Sequence, residues 1–176
     1  RFLRTLGDFT RHSWLTVMRG FPTVATYSEQ AAEQVGRAVY KAGPSLILDR
    51  VALPYHLFFD AMPPEHLAFF KELRLFHRTA EAVCAHGGLD SRKGPVESQR
   101  RGTLIWGVSS FPEDYTGPDT VLYGHWDNAM IDEKGWPMPA MATASIGVDT
   151  ISHGVLTAVR LPDRRVFQSD RFRVAG

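Results

Sequence analysis

The chain has 176 residues, 44% of them hydrophobic and 22% charged, a length and balance that suit one folded domain rather than a disordered segment. Its formal net charge is +1, and no run of Lys or Arg is long enough to supply an electrostatic footprint, so nucleic acid is not an expected partner. The single cysteine, Cys84, excludes an internal disulfide and a cysteine-based zinc site, and no apolar stretch approaches the roughly 20 residues that span a bilayer, so no membrane partner is expected either.

In chain order, Phe2, Leu6 and Phe9 stand at helical spacing, with Trp14, Leu15 and Met18 following, which predicts two short helices around Gly7-Asp8. Gly20-Phe21-Pro22 is a break. Ser28 is a candidate N-cap for "EQAAEQVGRAVYKA", which ends at Gly43-Pro44. Pro64 fits the first turn of a further helix, with Glu65 favourable beside it and Leu67, Phe70 and Leu73 as its buried face. Beyond it the pattern changes. "AVCAH" and "TVLYGH" read as short buried strands and "TASIGVDT" as a less regular one. "GVLTAVRLPDRRVFQS" reads as a hairpin around Leu161-Pro162-Asp163-Arg164. "DSRKGPVESQRRG" and "MIDEKGWPMPAM" read as exposed loops. Helices at the front and strands at the back predict an α/β or α+β arrangement.

Two strands run into a histidine beside glycine: Ala85 into His86-Gly87-Gly88, and Tyr123 into Gly124-His125. A strand end fixes a side chain well, a neighbouring glycine lets a ligand or a second backbone approach, and imidazole is the commonest transition-metal ligand. The competing reading is a pair of unrelated loop histidines, and the residues alone leave both open. "HGG" also occurs in esterase oxyanion loops, but no G-x-S-x-G pentapeptide accompanies it here; "GVSSF" does not fit. Cys84 lies two residues before His86, and a small buried hydrophobe is a better account of it than a nucleophile. Asp149 ends "SIGVD" and either anchors a site histidine or caps the following turn. His153 reads as a turn residue, Trp106 as a packing anchor, and Arg100 with Arg101 as a solvated helix face.

"AVCAHGGLD", "GTLIWG", "GPDTVLYGHWDNA" and "IGVDTISHGVLTAVRLPD" occur in that order. Together they resemble the C-terminal half of calcineurin-like metallophosphoesterases, in the branch of bacterial serine/threonine-type phosphatases and symmetrical diadenosine tetraphosphate hydrolases. "HLAFFKELRL" resembles the helix that precedes the first histidine in that family. The likeness covers roughly residues 62–170. It implies that His86 and His125 are ligands of one ion in a centre of two divalent metals, with manganese, iron and zinc all compatible with imidazole. It implies further that a hydroxide activated by the two metals attacks phosphorus in line with the leaving group. Ligand nitrogens on one ion stand roughly 3–3.5 Å apart, so the two rings are expected to converge, with a somewhat wider gap where no ion draws them together and with Asp149 near them. Trp126, directly after Gly124-His125, resembles the dinucleoside polyphosphate hydrolases, where an indole either stacks on a nucleobase or packs the loop.

The family's front half carries Asp-x-His, Gly-Asp-x-x-Asp-Arg-Gly and Gly-Asn-His-Glu, and none of the three is in this sequence. "RFLRTLGDFT" resembles the helix that follows the last of them. The expectation is therefore a single incomplete domain over residues 1–176, a C-terminal fragment that forms the back half of an α/β/β/α sandwich with mixed sheets. The histidine that assists the leaving group would lie in the N-terminal half of the same domain, a half this chain would need as a partner. The parent is expected to be a phosphatase that hydrolyses phosphoprotein or dinucleoside polyphosphate substrates, and the chain alone to be inactive. The alternative is a non-catalytic binding or structural module that keeps the back half of the fold. The sequence shows no signal-peptide pattern, and a cytoplasmic location is the expectation, although the first residue is Arg1 rather than Met.

Overall fold

A computed structural model describes residues 2–172, with the Phe2 side chain outside the described atoms. The chain forms two compact units, Arg1–Leu73 and Arg74–Gly176. Helices build the first, and a mixed sheet with short helices builds the second, an α/β composition. Among the described residues no helix is long and apolar enough to cross a membrane.

In the first unit a 3₁₀ turn, Phe2–Gly7, is followed by α1 (Ser13–Thr16), α2 (Phe21–Tyr27), α3 (Glu29–Ala42), α4 (Ser45–Leu48), α5 (His56–Asp60) and α6 (Pro64–Glu72). The Ser28 side chain accepts a hydrogen bond from the Ala31 N–H at 3.1 Å and so starts α3. Gly43, at φ +52°, ends it in a conformation that favours glycine. Ala31 and Val35, four residues apart on one face, bury against Leu15, Val24, Tyr55 and Phe58. Ser28→Ala is expected to cost about 1 kcal/mol, because it leaves that N–H without its cap; urea denaturation followed by far-UV circular dichroism measures it. His12 is buried and satisfied on both ring nitrogens, 3.0 Å from the Tyr55 hydroxyl and 2.8 Å from the Val51 carbonyl. On α6, Leu67 and Phe70 pack toward the core as expected, but Leu73 is 58% exposed. Its backbone has left the helix (φ −55°, ψ 128°), so its side chain no longer follows the helical face.

The second unit is organised by a six-stranded sheet in the order β1-β2-β3-β6-β5-β4, from β1 (Phe76–Arg78), β2 (Val83–Ala85), β3 (Val121–Tyr123), β4 (Ala129–Ile131), β5 (Pro137–Met141) and β6 (Ser145–Gly147). β2, β3 and β6 run parallel at its centre, and β1 and β5 flank them antiparallel. A separate ribbon pairs β7 (Thr157–Arg160) with β8 (Arg165–Gln168), the hairpin expected from the sequence. Alternation along β2 and β3 sends Val83, Ala85, Val121 and Tyr123 into a core with Leu89, Val96, Leu104 and Phe111, while Cys84 and Leu122 face the other side. Leu104 belongs to α7 (Arg101–Trp106).

Two segments read as exposed loops are more ordered than that. "MIDEKGWPMPAM" supplies most of the β4–β5 hairpin, closed by the Asp132 carboxylate, which accepts from the N–H groups of Lys134 (2.9 Å) and Trp136 (2.8 Å). Pro137 and Pro139 argue against a strand because they lack N–H groups. Their spacing of two residues places both gaps on one edge of β5, which keeps the other edge free to pair. In "DSRKGPVESQRRG", 3₁₀ turns form at Ser91–Lys93 and Val96–Ser98. Val96 is buried, and the Gln99 side chain donates to the carbonyls of Asp90 (3.1 Å) and Gly94 (2.9 Å).

Candidate metal centre

Parallel pairing of β2 with β3 aligns their C-terminal ends, and the chain bends at each. The bends are tied together by a hydrogen bond from the Gly124 N–H to the His86 carbonyl at 2.9 Å. His86 and His125, 39 residues apart, thereby bring Nε2 of one ring to 3.1 Å from Nδ1 of the other. That contact requires at least one of the two nitrogens to be unprotonated. His125 is at φ +71°, a left-handed conformation uncommon for a residue with a Cβ, and such strain concentrates at functional sites.

Glycines make the crowding possible. A Cβ on Gly87 would lie 2.3 Å from the Gly107 nitrogen and 2.8 Å from the Thr103 carbonyl oxygen, so the loop after His86 is in direct backbone contact with the end of α7. The Gly87 N–H donates to the Leu104 carbonyl at 2.7 Å. A Cβ on Gly124 would meet that of Asp149 at 3.4 Å, which shows how closely the β6 end approaches the β3 end. Asp149 itself is held by its carbonyl, which accepts from the Asn128 N–H at 2.9 Å.

His86, His125 and Asp149 share the rim of a cavity of about 620 Å³ whose wall is apolar, with Phe76, Leu122 and Val155 among its residues. Ile151 and Leu156, which also line it, are exposed. Partial burial lowers the proton affinity of His86 below the ordinary histidine value, the neighbouring His125 adds to that, and the Asp149 carboxylate opposes it. His86 therefore favours the neutral form that a metal ligand needs. The 3.1 Å spacing lies within the roughly 3–3.5 Å of two nitrogens on one ion and is narrower than the wider gap expected where no ion draws the rings together; the hydrogen-bond contact between the rings accounts for the difference. Among the described residues no group of three His, Cys, Asp or Glu side chains is gathered to hold an ion. The donor set thus fits a share of a metal centre, two imidazoles without a carboxylate in ligand position.

The other residues singled out in the sequence are also placed. Cys84 lines the cavity, and burial pushes its thiol up from the ordinary value. It is expected to react with iodoacetamide at neutral pH more slowly than free cysteine, as mass spectrometry of timed samples would record. Trp126 donates from Nε1 to the Trp106 carbonyl at 3.2 Å, and its ring centroid is 4.7 Å from that of His125. Trp106, expected to be a packing anchor only, presents its ring edge-on to His125 with centroids 5.1 Å apart. No sequence signal joined them, because the approach of α7 to the β3 end is a tertiary contact. His153 forms part of a 3₁₀ turn, Ile151–His153, and its Nε2 is 2.8 Å from the Asp127 carboxylate, a pair the sequence did not suggest. Arg100 and Arg101 are exposed at the start of α7 and line no part of this cavity.

Among curated proteins the chain is similar to the symmetrical bis(5'-nucleosyl)-tetraphosphatase of Nitrosospira multiformis, 34% identical over 94 residues. The match covers 52% of this chain and 31% of the relative, so the chain spans about a third of the length of the protein it matches. No family model matches the chain, and no solved structure does.

Proposed function

We propose that this chain is the histidine-bearing portion of a metal-dependent phosphoesterase, built as the back half of a sandwich of two mixed sheets. The observation that carries the reading is the convergence of His86 and His125 at 3.1 Å on the ends of adjacent parallel strands. The similarity to a tetraphosphatase supports the same reaction class. In this reading the two imidazoles hold one ion, and the tie between Gly124 and the His86 carbonyl keeps the rings at ligand spacing. Asp149, at the same rim, favours positive charge at His86. A divalent ion in such a site polarises phosphoryl oxygens and acidifies water. The remaining ligands, including bridging carboxylates and the ligands of a second ion, would come from elsewhere in the protein. The substrates proposed are phosphoproteins or dinucleoside polyphosphates, and the proposed location is the cytoplasm.

The lack of a third ligand among the described residues favours a second reading, a binding or structural module without catalysis. One assay separates the two: phosphate release from diadenosine tetraphosphate and from a phosphoseryl peptide, with manganese, by the full-length protein the gene encodes. Metal-dependent turnover that disappears with His86→Ala or His125→Ala supports the enzyme. No turnover on either substrate, or turnover indifferent to both substitutions, overturns it.

A further inference from the structure

Asp127, two positions beyond His125 on the same bend, is met by a histidine from another turn: His153 places Nε2 2.8 Å from its carboxylate. We propose that His153 is a positioning residue for His125, acting through Asp127 to hold the His125 imidazole at ligand spacing from His86. The proposal rests on the reading of His86 and His125 as a metal pair.

His125 needs outside support. Its φ of +71° is unfavourable for a residue with a Cβ and persists only where neighbouring contacts fix it. Upstream, the Gly124 N–H is tied to the His86 carbonyl. Downstream, three ties hold the chain. The Trp126 indole donates to the Trp106 carbonyl at 3.2 Å, the Asn128 N–H donates to the Asp149 carbonyl at 2.9 Å, and the Asp127 carboxylate meets His153. A carboxylate only accepts, so Nε2 of His153 donates. The other Asp127 oxygen accepts from the Ala129 N–H at 3.0 Å, which fixes the direction of the carboxylate. His153 in turn stands on a firm base. It closes the 3₁₀ turn Ile151–His153, where its N–H donates to the Thr150 carbonyl at 3.1 Å. Thr150 is buried, and its hydroxyl lies 2.7 Å from both the Val155 carbonyl and the Thr157 hydroxyl on β7. The tie therefore runs from β7 through a buried threonine to the bend that carries His125. His153 is not among the residues that line the cavity at the histidine pair, so its influence passes through Asp127. The His153 side chain is 34% exposed and that of Asp127 50%, so the pair contributes little to global stability. Its effect is local: without it the strained bend is free to relax, and an ion that binds must restore the ring position.

Two measurements on the whole chain test this. With labelled histidines and no metal, nuclear magnetic resonance reads the Overhauser contact between the ring protons of His86 and His125. Calorimetry reads the affinity for manganese or zinc. His153→Ala is expected to weaken the ring contact and to lower metal affinity roughly 3- to 10-fold, with Tm nearly unchanged. His153→Gln, whose amide nitrogen stands in for Nε2, is expected to restore both, and His153→Asn, which ends short of Asp127, to restore neither. An alanine variant with the ring contact and affinity of the unsubstituted chain overturns the proposal, as does a glutamine variant no better than a folded alanine variant. If circular dichroism shows the alanine variant unfolded, the asparagine variant takes its place against glutamine. The metal reading fails separately. A chain that binds no ion, yet loses its ring contact in His153→Ala, keeps the positioning role and sinks the metal pair. A chain whose metal binding depends on His125 but not on His153 keeps the metal pair and sinks the positioning role.

Discussion

Alanine at His125 is expected to lower the affinity of the chain for manganese or zinc by more than about 100-fold, and alanine at His86 to do the same. Changes to residues that only support a ligand typically cost about 10–100-fold, and these substitutions remove a direct donor. Only two imidazoles converge among the described residues, so either substitution leaves one. The pH response has a definite sign. Partial burial holds His86 below the ordinary histidine value, so its neutral ligand form is favoured at neutral pH and affinity is expected to fall as the solution becomes acidic. Calorimetric titration at several pH values measures both effects. Two single variants with unchanged affinity would remove the pair from any metal centre.

Gly87→Ala is expected to destabilise the second unit by about 2–4 kcal/mol, which for a unit of this size lowers Tm by roughly 10 °C or more. The added Cβ would lie 2.3 Å from the Gly107 nitrogen, 2.8 Å from the Thr103 oxygen and 2.9 Å from the Ile105 carbonyl carbon. All three are backbone atoms, which cannot swing aside as a side chain does. Relief must come from separating the His86 loop from the end of α7, which also breaks the bond from Gly87 to Leu104. Gly102→Ala is the control. It lies within α7, a Cβ there meets nothing within 4 Å, and alanine favours helix, so that variant should be as stable or slightly more so. Scanning calorimetry of both variants decides; equal melting of Gly87→Ala and the unsubstituted chain would mean that the packing described at this bend is wrong.

These two sites also show what the sequence could and could not convey. His86 and His125 were legible because each follows a short apolar strand and sits beside glycine, a local pattern. Their convergence was expected only through a resemblance, since nothing in the spacing of 39 residues dictates it, and the rings stand closer than the wider gap expected without an ion. α3 was legible end to end because its cap, its apolar face and its terminating glycine all lie within the segment itself. The β7–β8 hairpin was legible for the same reason. The β4–β5 hairpin was not, because two prolines carry a local signal against strand that the pairing to β4 overrides. Leu73 fitted the helical period of α6 but lies where the chain has turned out of the helix. Trp106 and the His153–Asp127 pair depend on contacts between distant segments, which composition and periodicity do not encode.

The most direct measurement is the zinc K-edge X-ray absorption spectrum of the chain with one equivalent of zinc. The account predicts outer-sphere scattering from two imidazoles with zinc–nitrogen distances of roughly 2.0–2.1 Å, reduced to one in His86→Ala and in His125→Ala. A spectrum without imidazole scattering, or one that neither substitution alters, would contradict it.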